Sequence, residues 1–289
     1  MADQLPIPFP IAIIVFKFQI MENDIYHLLT QVRAKAPLVQ NITNFVVMNN
    51  TANALLALGA SPIMVHAEEE LEEVLSFCNS LVINIGTISK PWANNMIEAA
   101  KLANKLGKPW VLDPVGAGIS KLRNETLETL VQLKPTVIRG NASEIMALQN
   151  FSNTSSKGVD STESSSTALQ AGQILNKETG AIVCISGAID YVISKEEITE
   201  VSNGSAMMTK VTGLGCTASA ITAAFIGLGN NPYEEAVAGI TITSLAGELA
   251  AKISKGPGTL QLNLYDTLYN LAKEQILGNL KLKRYANPS

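Results

Sequence analysis

From Met21 onward, short apolar runs alternate with longer stretches of helical period, the pattern of an α/β chain in which helices cover a sheet. The apolar runs Ser61–Val65, Leu81–Asn84, Trp110–Asp113, Thr136–Ile138 and Ala181–Ser186 predict strands. Between them, Asn44–Leu58 stops at Gly59, Pro91–Leu106 stops at Gly107, and Asn141–Gln149 follows Gly140, which predicts helices with glycine punctuation. Right-handed crossovers then make the sheet mostly parallel. Tyr191–Ser194 and Ile198–Val201, joined by a turn at Lys195–Glu197, predict an antiparallel hairpin at the sheet edge. Three closing helices are predicted to begin near Thr217, Pro232 and Asn263. The polar run 150–166 predicts a long loop or lid.

Residues 1–20 stand apart. Their apolar core, Ile11–Phe16, is too short to span a bilayer, carries no basic n-region before it and precedes no small-residue cleavage site. They read as an extension or an alternative start, and residues 21–289 as one domain, since no Pro/Gly/Ser linker divides them.

Composition narrows the partner. A net charge of -4 without a dense Lys/Arg cluster leaves no electrostatic footprint for nucleic acid or an anionic membrane, so a small molecule is expected. Cys78, Cys184 and Cys216 are odd in number and widely spaced, which argues for a reducing, cytosolic setting and against a disulfide framework or zinc site. With only His27 and His66, a histidine-based triad is not supported.

The richest chemistry lies in V-T-G-L-G-C-T-A, residues 211–218. Gly213 and Gly215 lead into an apolar helix whose first amides have no intrahelical acceptor, so the turn forms an anion pocket suited to phosphate. Cys216 stands at that helix N-terminus, where the dipole favours a thiolate. The same residues fit a dinucleotide fingerprint through Gly213, Gly215 and Ala218, and a plain helix-entry turn is the third reading. The late position, with no acidic residue at a following strand end, weighs against the dinucleotide.

Ligands of open α/β sheets sit beyond the carboxyl ends of the strands, and four consecutive strands end in polar groups: Asn84-Ile-Gly86-Thr87, Asp113-Pro114, Arg139-Gly140-Asn141 through Glu144, and Ser186-Gly187. Asp113 and Glu144 can hold magnesium, mostly through water, and Arg139 can fork onto a phosphate. The plain alternative is that Asp113-Pro114 and Asn141 only make turns or helix caps.

These segments carry a resemblance. Asn41-Ile-Thr-Asn44, Leu58-Gly-Ala-Ser-Pro62, Asn84-Ile-Gly-Thr87, Asp113-Pro-Val-Gly116, Arg139-Gly-Asn-Ala-Ser-Glu144, Lys210-Val-Thr-Gly213, Gly215-Cys216 and Lys255-Gly-Pro-Gly258 make the chain similar to the hydroxyethylthiazole kinases, over about Asn23 to Leu277. The resemblance implies a ribokinase-like fold, a central mostly parallel sheet flanked by helices on both faces. It implies transfer of the γ-phosphoryl of ATP, with magnesium, to the hydroxyl of 4-methyl-5-(2-hydroxyethyl)thiazole, and a homotrimer with sites at subunit boundaries. It places the thiazole near Asn44, the amide of Met64 and Gly213; the nucleotide at Arg139, Ser186 and Gly215; the metal at Asp113 and Glu144; and Cys216 where most relatives in the wider class carry an aspartate base. Ser186 in place of threonine and Leu214 in place of a smaller residue are mild departures. A kinase for another small alcohol, such as hydroxymethylpyrimidine, and a regulator or scaffold without catalysis are the alternatives. The Asn41–Asn44 and Gly59–Met64 segments favour thiazole, and the joint presence of Asp113, Arg139, Glu144 and Cys216 favours an enzyme.

Overall fold

The computed structural model describes residues 24–152 and 164–288. Residues 1–20, and most of the 150–166 run, lie outside the described residues. A helix over residues 24–35 (α1) precedes β1 (Leu38–Ile42), α2 (Met48–Leu58), β2 (Ser61–Ile63), α3 (Leu71–Phe77), β3 (Ser80–Asn84), α4 (Lys90–Lys105), β4 (Trp110–Asp113), α5 (Lys121–Gln132), β5 (Val137–Asn141) and α6 (Ala142–Ser152). After α7 (Ser164–Thr179) come β6 (Ile182–Ser186), β7 (Asp190–Ile193), β8 (Glu197–Val201), α8 (Leu214–Ile226), α9 (Pro232–Ile253), α10 (Pro257–Asn270), α11 (Lys273–Leu277) and β9 (Leu282–Ala286).

The strands form one sheet in the order β2-β1-β3-β4-β5-β6-β7-β8-β9. Pairings from β2 through β6 are parallel, and β7, β8 and β9 continue antiparallel. Both faces are buried, which is why the parallel strands read as continuous apolar runs rather than alternating ones. Val82, Val111 and Val137 face α2, α8, α9 and α10, while Leu81, Ile83, Leu112 and Ile138 face α3 to α7. Small residues let α9 lie close on α8: a Cβ at Gly239 would come 2.8 Å from the Thr222 Cα. By length and composition α9 is apolar enough to cross a membrane, yet it is packed almost entirely within the core.

Three sequence expectations need correction. The β7–β8 hairpin is not at the edge, because β9 pairs with β8 outside it. The strand β9, Leu-Lys-Arg-Tyr-Ala, carries an ion pair between Arg284 and Glu234 of α9, a lateral contact that a charged local sequence does not announce. The helix expected at Asn263 begins at Pro257, where Pro occupies the first turn. Helix α6 runs to Ser152 and α7 starts at Ser164, so both flanks of the expected 150–166 loop are helical.

Candidate active site

Register brings the polar strand ends to one rim. Asn84 pairs with Asp113 across β3 and β4, and Asn141 with Ser186 across β5 and β6. Asp113 and Arg139 each lie one residue beyond the paired Leu112 and Ile138, so a carboxylate and a guanidinium stand side by side at the sheet centre.

Buried hydrogen bonds connect the rim to the β1–α2 turn and to α8. Asp113, 3% exposed, accepts from Asn84 Nδ2 at 2.7 Å and from Ser219 Oγ of α8 at 2.8 Å, both on Oδ2. The Asn84 carbonyl accepts in turn from Asn44 Nδ2 at 2.8 Å and from the Gly86 amide at 3.0 Å. Asn44 Nδ2 also reaches the Cys216 Sγ at 3.5 Å. Burial pushes the Asp113 pKa up to about 6, with the charge of Glu144 acting in the same direction; the charge of Arg139 and the bonds from Ser219 and Asn84 pull it back.

Cys216 departs from expectation. Burial, then the charge of Asp113, pushes its thiol up to about 11, against hydrogen bonds from Asn84 and Asn44 and the charge of Arg139. The helix dipole therefore does not leave a thiolate there, because desolvation of the charged form outweighs it. At neutral pH this group is a thiol.

Gly213 is the N-cap of α8, with φ +79°, and a Cβ there would lie 2.3 Å from Val47 Cγ1. Only glycine fits both demands, so the turn presses against the residue that caps α2. The Thr217 amide closes on the Gly213 carbonyl at 2.9 Å, so α8 starts directly at this turn.

Beside that turn opens a cavity of about 660 Å³. Arg139, Ser186 and Gly215, assigned to the nucleotide by resemblance, all line it. Arg139, 7% exposed, donates from Nη1 to the Gly215 carbonyl at 2.9 Å, and its Nε has no partner among the described residues. Glu144 sits between the loops: Oε1 accepts from the Gly116 amide at 3.0 Å and Oε2 from the Asn141 amide at 2.9 Å, while Asn141 Oδ1 accepts from the Glu144 amide at 3.0 Å. This reciprocal pair caps α6, so the capping reading of Asn141 holds for that residue.

The ends of β1 and β2 adjoin this rim. Met64 directly follows Ile63, the register partner of Gln40, which puts it at the same rim as Asn44. His66 accepts from the Thr43 amide at 3.3 Å and stacks on Trp92, against which the exposed Phe45 also rests. Asn44, Gly213 and Cys216 are thus brought together, and Met64 lies on the adjoining strand end.

Other residues of the site escaped sequence reasoning. Ser219 lies one helical turn past Gly215, inside an apolar stretch, and nothing local marks it as an acceptor's partner. Arg123 of α5 donates to the carbonyls of Ile85, Gly86 and Val115, pinning the loops after β3 and β4. Asp190 accepts from the Gly187 amide and Ser244 Oγ at the cavity wall. Among the described residues, no group of three or more His, Cys, Asp or Glu side chains is placed to hold a metal unaided.

An open, mostly parallel α/β sheet with helices on both faces places the chain among the ribokinase-like folds. The fold is shared with a pyridoxal kinase from Staphylococcus aureus in complex with AMP-PCP, at 16% identity and a TM-score of 0.62, over 87% of this chain and 99% of that one. A closer likeness is the hydroxyethylthiazole kinase protein from Pyrococcus horikoshii OT3, at 39% identity and a TM-score of 0.84, covering 90% of this chain and 98% of that chain. The model of the hydroxyethylthiazole kinase family matches residues 29–274, and the chain belongs to that family. The hydroxyethylthiazole kinase of Leptospira biflexa is 49% identical over 91% of this chain and 98% of its own, and that of Vibrio parahaemolyticus 50% identical over 90% and 98%.

Proposed function

We propose that this enzyme transfers the γ-phosphoryl of ATP to the hydroxyl of 4-methyl-5-(2-hydroxyethyl)thiazole. One observation carries the reading: a buried bond chain from Asp113 through Asn84 and Asn44 to Cys216 lies beside the Gly213 turn and a cavity lined by Arg139. In this reading the cavity takes the nucleotide, with Arg139, Ser186 and Gly215 toward its phosphates. The thiazole lies on the other side of the Gly213 turn, against Asn44 and the Met64 amide.

Phosphoryl transfer has a loose transition state, so positioning and charge stabilisation matter more than early removal of the hydroxyl proton. A Cys216 held as a thiol suits that chemistry. Its Sγ orients the hydroxyl, while Arg139 and the amides after Gly213 receive the charge that gathers on the transferring group.

Magnesium, when bound, would neutralise charge on the β- and γ-phosphates. Asp113 and Glu144 fit a cation that keeps its water shell, since each carboxylate is already engaged by protein donors yet retains lone pairs. A homotrimer is supported by the exposure of Phe45 and Val46 next to Asn44, where a second copy would complete the thiazole site. A cytosolic setting is supported by the absence of a disulfide among Cys78, Cys184 and Cys216.

The test is ATP consumption with the thiazole alcohol, with hydroxymethylpyrimidine and with no added alcohol. Turnover that depends on the thiazole supports the reading. Equal or greater turnover with the pyrimidine overturns the substrate, and turnover independent of any alcohol overturns the kinase assignment.

A further inference from the structure

One wall of the cavity, the run from Ser202 to Thr209, has no regular structure before the short turn at Ala206–Lys210. Its shape must be set from behind, and that hold converges on one carboxylate. Glu248 of α9 is 7% exposed and is not itself a lining residue. Its Oε2 accepts from Asn203 Nδ2 at 2.9 Å and from the Gly204 amide at 3.3 Å. Its Oε1 accepts from Lys281 Nζ at 2.8 Å and pairs with Lys252 Nζ at 3.2 Å. Asn203 completes the clamp, donating to the Asn279 carbonyl and accepting from the Lys281 amide, each at 2.9 Å. The preceding residue, Gly247, seats the wall: a Cβ there would come 2.3 Å from the sulfur of Met208, which lines the cavity.

The geometry points to Glu248 as a positioning residue for nucleotide binding, acting through Asn203 and Gly204 on the Ser202–Thr209 wall. This rests on the nucleotide occupying that cavity. Lys281 and Lys252 are each half-exposed and can turn to water when the carboxylate is lost, whereas buried Asn203 cannot. The loss therefore falls on the wall and not on the lysines. The same helix face supplies Ile240, Thr243 and Ser244 to the cavity, so α9 both lines the site and holds the opposite wall in register.

The test is steady-state kinetics of full-length Glu248→Leu, Asn203→Ala and their double variant, since leucine leaves no acceptor for Asn203 and Gly204 whereas glutamine would keep one. Glu248→Leu is expected to raise KM for ATP roughly tenfold, with kcat and the thiazole KM within about twofold of wild type. The double variant is expected to be no worse than the poorer single one, because both break the same clamp. Ala206→Trp, on the exposed part of the wall, separates the two readings. If it leaves KM for ATP unchanged, the nucleotide lies elsewhere and the site reading fails. If it raises KM for ATP while Glu248→Leu does not, or if Glu248→Leu damages ATP and thiazole parameters equally, the positioning role is overturned.

Discussion

The two halves of the site are built in opposite ways. On the side proposed for the alcohol acceptor, Asn44, Asn84 and Asp113 are almost fully buried, and each holds the next directly, so their positions are fixed before any ligand arrives. On the side proposed for the nucleotide, the wall from Ser202 to Thr209 is a surface segment whose order is imposed from outside the cavity by Glu248 and Asn203. The first half is rigid because burial makes every unmade hydrogen bond costly; the second is shaped by a few contacts that can be removed one at a time. Damage to the first should appear in kcat and stability, and damage to the second in KM for ATP.

The turn at Gly213 belongs to both halves, and breaking it should have the largest effect. Gly213→Val adds a branched side chain at a left-handed position that already lies against Val47. A drop in kcat/KM of roughly 10³-fold is expected, of the size found when an oxyanion-type donor is lost. Activity within tenfold of wild type would show that the helix entry does not hold the reacting groups.

Next comes Asn84→Ala, which sharpens the contrast. It removes the donor to Asp113 and the acceptor for Asn44 in one step, at a position 1% exposed. A stability loss of about 1–3 kcal/mol is expected from the stranded partners. A kcat loss of roughly 10²-fold with KM for ATP nearly unchanged is expected from the displaced acceptor side. If KM for ATP rises as much as kcat falls, the halves are not independent.

Cys216 gives a smaller effect, and its direction matters more than its size. Because the thiol is pushed up to about 11, a base role would make kcat climb with pH through the whole range from 7 to 10, whereas an orienting role leaves it flat there. Flat behaviour is expected, with Cys216→Ser retaining kcat within about tenfold because its hydroxyl also orients an alcohol. A tenfold rise per pH unit in the wild type, absent in Cys216→Ser, would restore the base.

The sequence made some of this arrangement legible and hid the rest for physical reasons. Strand β4 lies where its apolar run predicts, since Pro109 and Pro114 bound it closely. Strand β1 was not marked, because Gln40 and Asn41 interrupt its apolar pattern although both are buried. The site residues at strand ends could be named because the carboxyl rim of a parallel sheet is a positional rule. The bonds among them could not, since Asn44, Asn84, Asp113 and Ser219 meet across separations of 29 to 106 residues. The dipole argument for Cys216 was sound locally and lost to burial, which only the fold reveals. Glu248 did leave a signal: it is the one acidic residue between Ala236 and Ile253, in an otherwise apolar helix.

The smallest effect isolates Glu248 through acid rather than through kinetics. Burial alone would raise its pKa, but bonds from Lys281, Asn203, the Gly204 amide and Lys252 outweigh this and hold the carboxyl down at about 2. An unfolded glutamate titrates near ~4.3, so between these values the unfolded chain binds the extra proton. The contribution to stability is therefore fully present above about pH 5 and is lost as pH falls toward 2. Subtracting the Tm of Glu248→Gln from that of wild type cancels the other acidic groups. A difference of roughly 3 °C at pH 6, shrinking by more than half at pH 3, is expected. A difference that stays constant from pH 6 to pH 3 would mean that the clamp holds the wall by shape and not by charge, and the nucleotide side would then resemble the acceptor side after all.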